Sequence, residues 1–355
     1  MNRGRAAHPG AWWLWAIALI VAASVTTNPL LLLLLAGVAI VTAVLRAAPS
    51  APPHMLRFFI TIALIVVVIR MLFGVLFGSG LGTTVLVTLP AVPLPSLLTG
   101  VHLGGPLTAE SLFAGFVDGL RLATIILAVG AANVLAPASR LLKSAPAALY
   151  EVGVSLVVAM SFTPQLVSDL DRVRTARRLR GRDSRGVRAF AGSSIPVFEG
   201  ALERSITLAA AMDARGYGRV GTRTRTQRVF SNAVVAAALI FAVLAISAVV
   251  SPLVPSVAAI GCAGAAVGCA AFALHLGAKH RVRTVYRPAA WSTTEWMVTC
   301  SAVATATCFV IGAFGDASGF TTSADPLTWP TLPTLGIIGV AFAFLPLLVT
   351  KEVSR

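Results

Sequence analysis

Charge is scarce in this 355-residue chain: Asp, Glu, Lys and Arg make up 12% of it. A soluble domain carries about twice that share, so the two or three soluble domains that the length suggests are excluded. Acid is scarcer still, 13 residues against 28 basic ones, which leaves a net charge of +15. Lysine is almost missing, confined to Lys143, Lys279 and Lys351. No Gly-x-x-x-x-Gly-Lys-Ser/Thr segment occurs, so the chain has no P-loop with which to hydrolyse ATP. Gly-x-Ser-x-Gly and His-Glu-x-x-His are absent as well, which removes the common hydrolase and zinc-protease patterns. The cysteines, Cys262, Cys269, Cys300 and Cys308, lie in apolar runs without a Cys-x-x-Cys pair. They are expected to be small buried thiols inside helices, with neither a disulfide framework nor a metal site. His8, His54, His102, His275 and His280 are scattered without ligand neighbours, so no metal and no cofactor is expected. A pI this high suits nucleic acid, but nucleic-acid binders do not carry long apolar runs, and no nucleic-acid partner is expected.

What the chain does have is apolar length and concentrated arginine. Hydrophobic residues make up 57% of it. Between Arg172 and Arg228 the arginines crowd together, whereas from Met71 to Leu120 there is neither Lys nor Arg. Basic segments are retained on the cytoplasmic side of a membrane, and neutral ones are exported. The fold class is therefore all-α, a polytopic integral membrane protein with about eight transmembrane helices plus cytoplasmic amphipathic helices.

The expected spans are Trp12–Thr27, Leu30–Leu45, Leu56–Phe77, Glu110–Ala136, Val229–Val250, Val254–Leu276, Trp291–Ala313 and Leu332–Val349. Asn28-Pro29 is the turn of a first hairpin, because Pro lacks an N–H and disfavours helix in the residue before it. The basic start, Arg3, Arg5 and His8, mimics a signal peptide, but the apolar run resumes straight after Pro29, as a first transmembrane helix would. Ser79–Ala109 reads as an outer loop, with Val85–Leu89 as a candidate re-entrant piece. Ala147–Phe162 is apolar, yet crossing there would put the arginine block outside, so it belongs at the cytoplasmic interface. Trp12, Trp13, Trp15, Trp291, Trp296 and Trp329 fall near span ends, where indoles favour the interface. Gly261, Gly264 and Gly268 have helix-packing spacing. Three regions follow: residues 1–143 with the first four spans, 144–228 as a coupling-helix module, and 229–355 with the later spans. Both termini are cytoplasmic, in a bacterial cell membrane.

Two amphipathic stretches in the basic block end alike. The first runs from Ser161 past Pro164, with Leu166, Leu170 and Val173 on one face, to Arg180-Gly181. The second has Ser193-Ser194-Ile195-Pro196 as its start, an N-cap with Pro in the first turn, then Leu202, Ile206 and Met212 on one face. It ends at Ala214-Arg215-Gly216. Gly stands where a helix stops, and an Arg at that tip presents a guanidinium suited to clasping a partner's carboxylate. The plainer alternative is an ordinary arginine-rich loop attracted to anionic lipid headgroups. Within the spans, Arg70, Asp118 and Arg121 are costly charges, expected to form a structural pair or triad joining the third and fourth spans, with a substrate or proton site as the alternative.

The segment Ala211-Met212-Asp213-Ala214-Arg215-Gly216-Tyr217 resembles a motif of the transmembrane (T) component of energy-coupling factor transporters, the EcfT/CbiQ family. These are vitamin and metal-ion uptake systems of the ABC class. Arg178-Leu179-Arg180-Gly181 resembles the family's first Ala-Arg-Gly, with Leu179 where Ala is usual, and Thr27-Asn28-Pro29-Leu30 and Gly119-Leu120-Arg121 are similar too. The likeness covers about residues 12–250. It implies a non-catalytic scaffold whose Arg-Gly ends insert into grooves on two ABC-type ATPase subunits. Their closure would move the coupling helices and so reorient a separate small substrate-binding membrane subunit resting on the apolar stripes. A self-contained secondary transporter is the alternative, although the halves show no evident repeat. A lipid-linked transferase rests only on Glu110, Asp316 and Asp325.

Overall fold

The structure, a computed structural model, describes residues 8–47, 54–76, 84–92, 103–137, 140–141, 150–181, 186–217, 225–250, 256–279, 291–315, 319–322 and 329–350. Lys143, His102, His280, Asp316 and Asp325 lie outside them. In chain order the elements are α1 (Pro9–Val25), α2 (Pro29–Leu45), α3 (Met55–Leu76), β1 (Val85–Val92), β2 (Leu103–Thr108), α4 (Ala109–Leu135), α5 (Tyr150–Leu179), α6 (Val187–Ala214), α7 (Arg225–Val250), α8 (Ser256–Lys279), α9 (Thr293–Phe314) and α10 (Thr334–Val349). The protein is an all-α polytopic membrane protein. Among the described residues α3, α4, the window Gly153–Leu179 and α9 are long and apolar enough to cross a membrane, while α1, α2, Val229–Ala245 and α10 are apolar but shorter.

The contacts form two units, residues 1–141 with 289–355, and residues 142–288. α9 and α10 group with α1 to α4 in the first unit, and α7 and α8 with α5 and α6 in the second.

In the first unit, local chemistry starts the helices. Pro9 and Pro29 occupy first-turn positions where no backbone donor is needed, and His8 and Asn28 accept from Gly10 N–H and Leu30 N–H. Trp15, Leu19, Leu31, Leu32, Leu35 and Phe309 are fully buried and make the core. At one level the helix ends meet through polar bonds. His8 N–H donates to Glu295 Oε1 at 3.1 Å, Trp13 Nε1–H to Ala136 O at 3.0 Å, and Arg46 Nη2–H to Leu347 O at 2.7 Å. At the opposite level the α1–α2 turn meets the segment between α9 and α10. The Asn28 amide donates to Gly319 O at 2.6 Å and Thr331 O at 2.7 Å, and Thr26 Oγ1–H donates to Phe320 O at 2.8 Å. Trp15 Nε1–H donates to Ala343 O at 3.0 Å within the core. Trp12 and Trp15 are thus buried packing residues, not the interface anchors expected; Trp296 and Trp329 are exposed.

In the second unit α7 and α8 pack on each other, with Phe230 edge-on to Phe272 at 6.5 Å. A Cβ added at Gly261, Gly264 or Gly268 would meet nothing within 4 Å, so these glycines are not the packing surface their spacing suggested. The small-residue approach occurs elsewhere. Gly115 and Gly119 of α4 face the α3 backbone, where an added Cβ would lie 3.3 Å from Arg70 O and 3.0 Å from Val67 Cα.

Three local expectations change. Val85–Leu89 is a strand paired antiparallel with β2, from Val85 opposite Thr108 to Val92 opposite Leu103, not a re-entrant piece. The apolar stretch ending at Phe162 and the first arginine-bearing stretch form one continuous α5 through Pro164. Ser161 and Thr163 hydroxyls donate to Val158 O and Ala159 O in the turn that the proline disturbs. α6 begins at Val187, not at Ser193, and Ser194 Oγ–H donates to Phe190 O inside the helix. The cysteines are free, but Cys300 is exposed and the other three are half-buried, so the buried placement does not hold.

Candidate functional site

The two Arg-Gly tips are built by the same local device. α5 ends at Leu179, and Gly181 takes φ +70° while its N–H donates to Arg178 O at 3.0 Å. α6 ends at Ala214, and Gly216 takes φ +75°, with Gly216 N–H on Asp213 O at 2.8 Å and Tyr217 N–H on Met212 O at 3.0 Å. A left-handed residue is needed at each position, and only glycine adopts it without steric cost. Arg180 and Arg215 immediately precede these glycines and are exposed. Among the described residues neither guanidinium has an ion pair or hydrogen bond. Leu179 is 84% exposed, so its replacement of the usual Ala places an apolar side chain on the open tip rather than in a packed position.

α5 and α6 run side by side in opposite senses. Near the connection the Arg177 guanidinium lies across Gly192, and farther along Arg204 Nη2–H donates to Asp169 Oδ2 at 2.8 Å. Arg172 Nη1 approaches the other Asp169 oxygen at 3.6 Å, and the Asp169 side chain is 15% exposed. The tips consequently stand at opposite ends of the pair. At 1.5 Å per residue, the 28 residues of α6 separate them by about 42 Å. No single small groove can take both.

The apolar faces divide unevenly. Leu166, Leu170, Val173 and Met212 are half-buried, while Leu202 and Ile206 are exposed. Ile195 and Phe198, not assigned to the stripe in the sequence, extend the exposed stripe of α6 towards its N-terminus.

Within the spans, Arg70 Nη2 of α3 lies 3.8 Å from Asp118 Oδ2 of α4, both side chains about half exposed. The glycines at 115 and 119 bring the α3 backbone against α4 beside Asp118, which sets that distance. Arg121 makes no ion pair among the described residues, so the described group is a pair. Of the residues suggested for transferase chemistry, Glu110 is buried and accepts from Thr84 N–H at 3.2 Å and Thr84 Oγ1–H at 2.6 Å, a structural duty.

Sequence reasoning passed over Asp169 and Arg204. The signal was present: Asp169 sits three residues after Leu166 and four before Val173, on the apolar face itself, where a carboxylate requires a partner. Exchanging the charges tests the pair. Asp169→Arg and Arg204→Asp should each lower the thermal midpoint, and the double exchange should recover part of the loss. The expected double-mutant coupling is about 0.5–1 kcal/mol, modest because Arg204 is partly solvated. A coupling of zero would remove the pair as the link between the helices.

Comparison with known proteins identifies the family. The family model described as cobalt transport protein, CbiQ, matches residues 5–227. The energy-coupling factor transporter transmembrane protein EcfT of Streptococcus thermophilus is 34% identical over 89 residues, 23% of this chain and 34% of the relative. EcfT of Thermanaerovibrio acidaminovorans is 33% identical over 124 residues, 33% of this chain and 44% of the relative. EcfT of Bacillus subtilis is 29% identical over 115 residues, 28% of this chain and 43% of the relative. The matched stretches thus span between a third and under half of these relatives. With a family model covering well over half of its length, α1 to the end of the arginine block, the chain belongs to the CbiQ family of cobalt transport proteins.

Proposed function

We propose that this protein is the non-catalytic energy-coupling scaffold of an energy-coupling factor importer in a bacterial cell membrane. The observation that carries it is the pair of solvent-facing Arg-Gly tips, unpartnered among the described residues and set at opposite ends of one two-helix unit. A unit with two separated cationic tips suits two copies or two kinds of partner, each offering a carboxylate in a groove. Two ABC-type ATPase subunits meet that description, and the named relatives are transmembrane proteins of energy-coupling factor transporters.

The charge pattern supports the orientation. Arg46 at the end of α2 and Arg57 at the start of α3 mark one level of the first unit, while the sequence from Met71 to Ala109 contains no charge at all. The basic level faces the cytoplasm, with both termini there. ATP is hydrolysed on the partners. The exposed stripe Ile195, Phe198, Leu202 and Ile206 is the surface for a small substrate-binding membrane subunit, which selects the vitamin or metal ion. Arg70 and Asp118 hold α3 to α4 and take no part in transport.

The test is purification of the tagged chain followed by reconstitution in vesicles. Two ABC-type ATPases are expected to accompany it, and uptake is expected to require ATP and a third membrane subunit. Full uptake by the chain alone, driven by an ion gradient without ATPases, would establish a secondary transporter instead.

A further inference from the structure

No part of the proposed coupling role uses the β1–β2 hairpin. It begins where α3 leaves and α4 enters, and it is fixed there. Ala109 N–H donates to Thr84 O at 3.0 Å, and the Glu110 carboxylate holds Thr84 by both its backbone and its hydroxyl. From that base the eight residues of β1 extend about 26 Å. Val85, Leu86 and Val87 are 52%, 54% and 56% exposed. Alternate residues of a strand point to opposite faces, so both faces of the hairpin base are apolar and open. A two-stranded ribbon with two apolar faces is not stable in water.

Its flanks identify the occupant. No charged residue occurs from Met71 to Ala109, so nothing in this segment offers a charged contact to a protein partner. Leu72, Phe73 and Leu76, at the end of the apolar α3, are exposed apolar residues with the chemistry of a lipid contact, and β2 packs on the same helix. Pro90 in β1 and Pro106 in β2 remove backbone donors, which discourages pairing with an added strand. An open-edged ribbon cannot lie deep in hydrocarbon, where unpaired N–H and C=O groups are costly, but headgroups can satisfy them.

We propose that the β1–β2 hairpin lies in the acyl–headgroup boundary of the leaflet at which α3 ends, as a lipid-binding element of this chain. The proposal needs only membrane insertion of α3 and α4, so it stands or falls separately from the coupling role.

The test uses full-length protein with Cys262, Cys269, Cys300 and Cys308 changed to Ala, and single cysteines introduced as Leu86→Cys or Val87→Cys. An environment-sensitive fluorophore is attached and the protein is reconstituted in phosphatidylcholine–phosphatidylglycerol vesicles. Leu64→Cys on the exposed face of α3 serves as the lipid control, and each variant must keep the thermal midpoint of the cysteine-free parent. Both hairpin labels are expected to emit to the blue of their position in water. Lipids carrying a shallow nitroxide should quench them more than about twofold more strongly than aqueous iodide does. Quenching by iodide alone would place the hairpin in water. Protection from both quenchers would show a protein cover, and either result overturns the proposal.

Discussion

Replacing Arg180 and Arg215 together by Glu is expected to abolish capture of the ATPase partners and ATP-driven uptake, while the membrane-inserted chain accumulates normally. Each guanidinium is free among the described residues, so its loss breaks no ion pair there and should not unfold α5 or α6. A charge buried against a partner carboxylate contributes about 2 kcal/mol or more to the complex, so a single reversal should weaken binding by roughly 30-fold and the double reversal beyond detection. The Lys substitutions separate two explanations. A fork that clasps a carboxylate through two N–H groups is lost in Arg→Lys, whereas general attraction to an acidic surface is retained. Arg180→Lys plus Arg215→Lys is therefore expected to lower binding by at least about tenfold. Equal binding by the Lys and Arg proteins would reduce the tips to ordinary positive charge. Thermal midpoints and membrane yield measured alongside keep a folding defect from passing as a docking defect.

The second large effect is expected at Asn28. This side chain is fully buried and serves three groups at once: its oxygen caps α2, and its amide holds Gly319 O and Thr331 O of the segment before α10. Asn28→Ala should leave the Leu30 N–H and the Gly319 and Thr331 carbonyls, all part-buried, without their Asn28 partner and cost about 1–3 kcal/mol. Asn28→Asp distinguishes capping from bridging. The carboxylate keeps the cap but confronts both carbonyls with negative charge, so it should be at least as damaging as Ala. If Asp were nearly neutral, the cap alone would explain the residue. Thermal unfolding in detergent, with hydrogen exchange over α10, reads both variants.

These two sites differ in how far the sequence exposes them. The ends of α5 and α6 follow from Arg-Gly itself, since a helix closes through a left-handed glycine using only neighbouring backbone groups. Asn28-Pro29 was equally visible as a turn, with Pro at the first helical position. What the amide of Asn28 holds was not visible, because Gly319 and Thr331 lie 291 and 303 residues away. Ser193-Ser194-Ile195-Pro196 shows the limit of a local signal. It has the chemistry of a helix start, yet the helix runs from Val187, and Ser194 satisfies an internal carbonyl instead. The glycines of α8 had the spacing of a packing face and meet nothing, while Gly115 and Gly119 carry the close approach. Spacing shows which residues share a face, not which helix lies opposite.

By itself, then, the sequence determined the membrane class, the concentration of arginine, the two glycine-capped tips and the turn at Asn28. Each depends on composition or on groups within a few residues. Only the tertiary structure decided that α9 and α10 close onto α1 and α2, that Asp169 meets Arg204, and that the tips stand at opposite ends of one helix pair. Those outcomes depend on which apolar faces and buried polar groups find partners across hundreds of residues, and chain order alone does not specify that pairing.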